Sequence, residues 1–156
     1  MSDIPRQIEP EWLDELSPGD PRALRSRRDL RRINALMTNA DIVARELMRN
    51  FRDESPRVIA EIGAGDGAFM VRLAARVATR WKNARVVLLD RQDVVGRDAL
   101  GRFVALGWSA ESATADVFEW LARPAGPIFD VMIANLFLHH FDAARLTALL
   151  SLAAKR

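Results

Sequence analysis

From Arg57 onward, short and mainly apolar runs alternate with stretches of helical period. Val58–Ile62 and Ala84–Leu89 are the first two runs, and Asp90 closes the second. A third strand is predicted over Ser109–Ala115, ending in Asp116-Val117-Phe118, and Phe129–Leu138 is a fourth, almost uninterrupted apolar run. Between them the pattern predicts a helix from Gly67 to about Thr79, with Phe69, Leu73 and Val77 inward. A second is predicted over Asp98–Leu106, stopped by Gly107, and a third from a cap at Asp142 to Arg156. Strands apolar on both faces, each followed by a helix, imply a doubly wound parallel sheet of the α/β class.

The first 52 residues read differently. Residues 1–19 are rich in proline and acids, which predicts an extended arm with one helical turn around Pro10–Leu16. Asp20-Pro21 has the form of a helix start, an acid at the cap and proline at the first helical position. Leu24, Leu30, Ile33 and Met37 can share one face of that helix, and Asn39 or Asp41 can cap a second helix reaching Asn50. The expected organisation is an arm with cap helices over residues 1–52 and a Rossmann-like α/β domain over 53–156.

Composition narrows the function classes. With 156 residues the chain can bury one sizeable core. Arg22, Arg25, Arg27, Arg28, Arg31 and Arg32 could contact an anion or nucleic acid, or form a solvated helix face. The latter is favoured, because no aromatic residues interleave with the run and 23 basic residues stand against 21 acids. The absence of cysteine excludes disulfides, thiol catalysis and cysteine metal sites. No secretory leader and no run of membrane-spanning length is visible, so the expected location is the cytoplasm, without a membrane partner.

The chemistry centres on Val58–Met70, V-I-A-E-I-G-A-G-D-G-A-F-M. Glycines at 63, 65 and 67 permit a tight turn and close approach of bare backbone to a ligand, just before a helix N-terminus. Gly63-x-Gly65-x-x-Ala68 satisfies the loose dinucleotide fingerprint, while Glu61-x-Gly63-x-Gly65-x-Gly67 is a loop led by an acid. Charge separates these readings. A pyrophosphate on this loop would face Glu61 and Asp66, and like charges 4 Å apart repel by roughly 4 kcal/mol at an effective dielectric near 20. A cationic adenosine ligand would instead be favoured. Asp90, at the end of the second strand, can accept from both ribose hydroxyls of either kind of ligand.

The acid-led loop resembles that of class I S-adenosylmethionine (SAM)-dependent methyltransferases. The stretch Ile128–Phe141, I-F-D-V-M-I-A-N-L-F-L-H-H-F, resembles the fourth-strand motif of their ubiquinone and menaquinone branch. The resemblance spans about Arg57–Arg156. It implies SAM as cofactor, with Glu61, Gly63, Ala64 and Gly65 at the methionine end and Asp90 and Arg91 at the ribose. Asp116, Val117 and Phe118 would lie at the adenine, and Asn135 beside the transferred methyl. Asp116 could equally be a helix N-cap. His139 or His140 could act as general base, or the pair could shape the turn. Adjacent histidines without a carboxylate cluster give no metal site.

The family sheet has seven strands, and this sequence carries four of them. The expected activity is methyl transfer to an O, C or N nucleophile of a small molecule. The alternative is a non-catalytic, truncated adenosine-binding module acting through a partner chain. An apolar fourth strand left at a sheet edge predicts self-association through Val131–Leu138.

Overall fold

The computed structural model describes residues 16, 20–22, 25, 26, 29, 39–52, 55–126 and 128–156. The expected turn at 10–16 and the apolar stripe Leu24, Leu30, Ile33 and Met37 lie outside the described residues, Leu16 excepted. Pro21 and Arg22 are helical, and the Asp20 carboxylate accepts from the Arg22 backbone N–H at 2.8 Å, as expected of a helix start.

Helix α1 (Asn39–Asn50) leads into β1 (Val58–Ile62), α2 (Ala68–Val77) and β2 (Arg85–Asp90). Then come α3 (Arg97–Ala105), β3 (Ser109–Thr114), α4 (Val117–Ala122), β4 (Val131–Ala134), a single 3-10 turn at Leu138–His140, and α5 (Ala143–Ala153). The strands form one four-stranded sheet in the order β3-β2-β1-β4, every pairing parallel. Side chains alternate across β1. Ile59 joins a core with α1, α2 and Phe103 of α3, while Ala60 and Ile62 join a second core with α4 and α5. Helices therefore cover both faces, which explains why the β1 and β2 sequences are apolar throughout except at their ends and at Glu61.

Local chemistry sets the boundaries. Gly107 (φ +77°) follows the end of α3, and Gly67 (φ +75°) caps α2 in a conformation costly for other residues. Asp142 caps α5 by accepting from the Arg145 N–H at 2.7 Å. At the opposite end of the sheet, Asp130 accepts from the N–H groups of Arg57 and Val58 at 2.7 and 2.8 Å, fastening the start of β4 to β1. The caps expected for α1 have other partners. Asp41 pairs with Arg76 of α2, and Asn39 donates across the molecule to Asn135.

The fourth strand is a correction. The apolar run Phe129–Leu138 yields only the four residues Val131–Ala134 as strand. Leu136 adopts φ +52°, which breaks an extended chain and is unusual for a residue with a branched side chain. Beyond it the chain coils into the Leu138–His140 turn, so the apolar residues Phe137 and Phe141 pack as an aromatic pair rather than along a strand. The two sheet edges differ in character. β3 reads S-A-E-S-A-T and is mostly exposed, with Glu111 paired to Arg85, whereas β4 reads V-M-I-A.

Candidate functional site

The order of the strands places a crossover reversal between β1 and β4, and ligands of open parallel sheets bind outside the C-terminal ends of strands at such a point. Four strand ends converge there. Register aligns Ile62 with Leu89 and Ala134, and Asp90 with Thr114. The glycine loop, Asp90, Asp116 and Asn135 thus stand at one rim, spread over three strand spacings, roughly 14 Å.

The three loop glycines have different physical reasons. Gly63 (φ +67°) lies beneath the Phe137 ring. A Cβ there would come within 2.5 Å of Cγ and 2.9 Å of Cβ of Phe137. A Cβ on Gly67 would meet Leu88 at 3.0 Å, whereas one on Gly65 (φ +54°) would meet nothing within 4 Å. Gly65 is therefore the position where the loop faces open space; Gly63 is required by the protein's own packing. The loop is held by Ala64, whose N–H donates to the Leu89 carbonyl at 3.0 Å and whose carbonyl accepts from Gly67 at 2.9 Å.

Asp90 is more than a terminal acid of β2. One carboxylate oxygen accepts from the Gly65 N–H at 2.8 Å and the other from the Gln92 N–H at 3.0 Å. It ties the second strand to the glycine loop. Each oxygen has a further lone pair able to accept from a hydroxyl. Arg91, next to it, is exposed.

Glu61 is 1% exposed and is the buried charged residue among those described. Its Oε2 has no hydrogen-bond partner. Burial pushes its carboxyl well above the usual range, Asp66 and Asp90 push it further, and Arg72 acts the other way. An acceptor held dry and unsatisfied is costly, and this oxygen could accept from a donor or a cation.

Asp116 caps α4. Its Oδ1 accepts from Phe118 at 2.8 Å and Glu119 at 3.4 Å. The cap reading thus holds, and it uses Oδ1, leaving the other carboxylate oxygen outside the cap. Val117 is buried at 4% exposure. Phe118 packs edge-on against Phe141 (5.4 Å between ring centroids), and the Arg145 guanidinium lies 5.0 Å above its ring. Asn135 accepts at Oδ1 from Asn39 Nδ2 at 3.1 Å, which links α1 to the end of β4.

His139 and His140 fall in the 3-10 turn with ring centroids 4.1 Å apart, His139 exposed and His140 half-buried beside Phe137. They lie in the connection from β4 to α5. No group of three or more metal-ligating side chains occurs among the described residues. No described helix is long and apolar enough to cross a membrane.

Sequence reasoning missed Asn39, Arg72, Phe137 and Arg145. Phe137 and Phe141 carried a signal, the i, i+4 spacing of a helical turn, but the apolar run around them read as strand. Asn39 and Arg72 come from separate helices and carry no local signal.

No family model and no curated protein matches the sequence. Solved structures do match. One is an O-methyltransferase family protein from Burkholderia thailandensis, with TM-score 0.62 and 22% identity, covering 88% of this chain and 39% of that one. Another is the plantazolicin methyltransferase BpumL in complex with SAH, with TM-score 0.58 and 18% identity, covering 88% of this chain and 49% of that one. BpumL with SAH and a monoazolic desmethylPZN analog matches at TM-score 0.57 and 20% identity, covering 89% and 49%. The chain shares a Rossmann-like α/β methyltransferase fold with them and spans about 39% to 49% of their lengths.

Proposed function

We propose that this chain binds SAM at the C-terminal ends of β1, β2 and β3 and contributes to methyl transfer onto an O, C or N nucleophile of a small acceptor. The observation that carries the reading is the convergence of Glu61, Asp90, Asp116 and Asn135 around a glycine loop open at Gly65. Likeness of fold to methyltransferases, one of them in complex with SAH, supports it. The resemblance of Ile128–Phe141 further suggests the ubiquinone and menaquinone branch.

SAM supplies a methyl group already activated on a sulfonium, so the protein's task is placement. Glu61 would attract the cationic end, and Ala64 and Gly65 would line the backbone approach. Asp90, with Arg91 next to it, would accept from the ribose. Asp116, through the oxygen outside its cap, would accept from the adenine amine, with Val117 and Phe118 as the apolar wall. Asn135 would border the transferred methyl. His140, half-buried, and His139 are the candidate bases for an acceptor that needs to lose a proton. Glu61 disfavours a dinucleotide, whose phosphates would meet an acid with no counterion of its own on the loop.

Calorimetric titration with S-adenosylhomocysteine and with NAD tests this. The expected result is binding of the first and none of the second. Asp90→Ala should weaken it by at least tenfold, the size of one lost charge-assisted hydrogen bond. Wild-type protein that binds NAD, or neither ligand, would overturn the reading.

A second reading is a non-catalytic adenosine-binding module that acts through a partner chain. In either case, we propose that the apolar β4 edge pairs with another strand, a second copy being the simplest partner. Light scattering should then give a mass above 17.5 kDa. A monodisperse monomer that binds no hydrophobic dye would refute self-association.

A further inference from the structure

The bond between Asn39 and Asn135 brings the start of α1 to the strand ends of the site. Asn39 Nδ2 donates to Asn135 Oδ1 at 3.1 Å across 96 residues, and both side chains are half-buried. Neither makes another side-chain hydrogen bond among the described residues. The reciprocal bond, from Asn135 Nδ2 to Asn39 Oδ1, is not formed, so the pair keeps a free N–H donor on Asn135 and a free carbonyl acceptor on Asn39. Neither atom is among the buried unpartnered ones, so both stay open to a guest. A carboxylate or an ether only accepts and an ammonium only donates, so each satisfies half of the pair. A hydroxyl does both from one atom, accepting from the Asn135 N–H and donating its O–H to Asn39 Oδ1. The surroundings describe the rest of the guest. Ile42, one turn along α1 from Asn39, is 53% exposed, and Leu136, next to Asn135, is 45% exposed. Leu136 also holds a φ of +52°, a backbone state that glycine adopts at little cost. A leucine kept there holds apolar surface in place that the chain leaves about half open. The guest that fits carries its hydroxyl on an apolar frame.

We infer that Asn39 and Asn135 together form a hydroxyl-binding site for the methyl acceptor, with Ile42 and Leu136 as its apolar flanks. Asn39 is the residue that selects a hydroxyl over an ether, because its carbonyl is the acceptor that only an O–H can use. The inference rests on the SAM reading above for the guest's role as methyl acceptor. It adds to that reading a specificity residue from outside the sheet and a chemical class for the acceptor.

Phenol and its methyl ether, anisole, are the probes; the ether keeps the ring and the oxygen and cannot donate. Each is titrated by NMR into wild type, Asn39→Ala and Asn39→Asp, with and without S-adenosylhomocysteine, following the side-chain amide signals of Asn39 and Asn135. In wild type phenol should shift these signals and bind roughly 3- to 10-fold tighter than anisole, the size of one neutral hydrogen bond. Asn39→Ala should bring the two probes level. Asn39→Asp, which keeps an acceptor oxygen at that place, should restore the preference for phenol. Wild type that binds both probes equally, or phenol that leaves the amide signals unmoved, would overturn the inference. So would Asn39→Ala weakening both probes alike, the mark of a purely structural bond to Asn135, or Asn39→Ala keeping the preference. Binding of phenol at the pair without any binding of S-adenosylhomocysteine would keep the hydroxyl site and overturn the SAM reading.

Discussion

Glu61→Gln is expected to make the protein more stable at neutral pH and at the same time to weaken S-adenosylhomocysteine by roughly 10- to 100-fold. The opposite signs follow from one feature. The Glu61 carboxyl is 1% exposed, has an unpartnered oxygen, and titrates well above its ordinary 4.5 because burial and the neighbouring Asp66 and Asp90 disfavour the anion. A carboxyl whose folded pKa lies above its unfolded pKa binds more protons when folded. Its contribution to stability is therefore fully present below pH 4.5 and is lost as pH rises through the folded value, at about 1.4 kcal/mol per pH unit. Glutamine keeps the shape, carries no charge and removes that slope. Thermal midpoints of wild type and variant should coincide in acid and separate in the variant's favour as pH rises. Binding runs the other way. A cationic ligand restores the anion, so wild-type affinity should increase with pH over the same window, with a proton released on binding; the variant should show neither. A residue retained at a cost in stability is the expected sign of a binding role. Glu61→Gln melting below wild type at pH 8, or binding as tightly, would remove Glu61 from the site.

The parts legible in the sequence were those set by local pattern. Alternation of apolar runs with helical stretches located β1 and β2 and the helices after them to within a residue or two, because a strand covered on both faces has no polar side to confuse the reading; β3 was located as well, but the helix after it was anticipated only through the alternative reading of Asp116 as a cap. Gly107, Asp142 and the Asp116 cap were equally local. The failure at β4 has a physical cause. A largely apolar run of ten residues looks alike whether it forms a strand or a strand followed by an aromatic turn, and the deciding event, the positive φ at Leu136, has no glycine to announce it. The site divides in the same way. The acids at strand ends could be read because topology alone brings strand ends together. What those acids touch could not. Asp90 holding the Gly65 N–H and Asn39 reaching Asn135 over 96 residues both depend on how loops and helices pack over the sheet.

Gly63→Ala is expected to cost about 2 to 5 kcal/mol of folding stability, more than the same change at Gly65, although both glycines have positive φ and belong to one motif. Either alanine meets the left-handed backbone penalty of about 1 to 2 kcal/mol. Only at Gly63 does a neighbour stand in the way. The added methyl would overlap the Phe137 ring, with its Cγ 2.5 Å distant, whereas at Gly65 it would meet nothing within 4 Å. Relief of such overlap in a packed region costs a further 1 to 3 kcal/mol or so. Phe137 cannot simply step aside, since it is held edge-on by Phe141 at 5.1 Å, and Phe141 in turn packs on Phe118 at 5.4 Å. The strain would therefore pass along this chain of rings to Phe118. Urea denaturation of Gly63→Ala, Phe137→Ala and the double variant closes a cycle. The double variant should be more stable than the sum of the single losses predicts, with a coupling of about 1 to 3 kcal/mol. Gly65→Ala combined with Phe137→Ala should be additive, and its alanine should act on ligand affinity instead, because that methyl projects into open space beside the loop. Additivity at Gly63 would mean that Phe137 does not rest on the loop. The first glycine of the motif would then be explained by its backbone conformation alone.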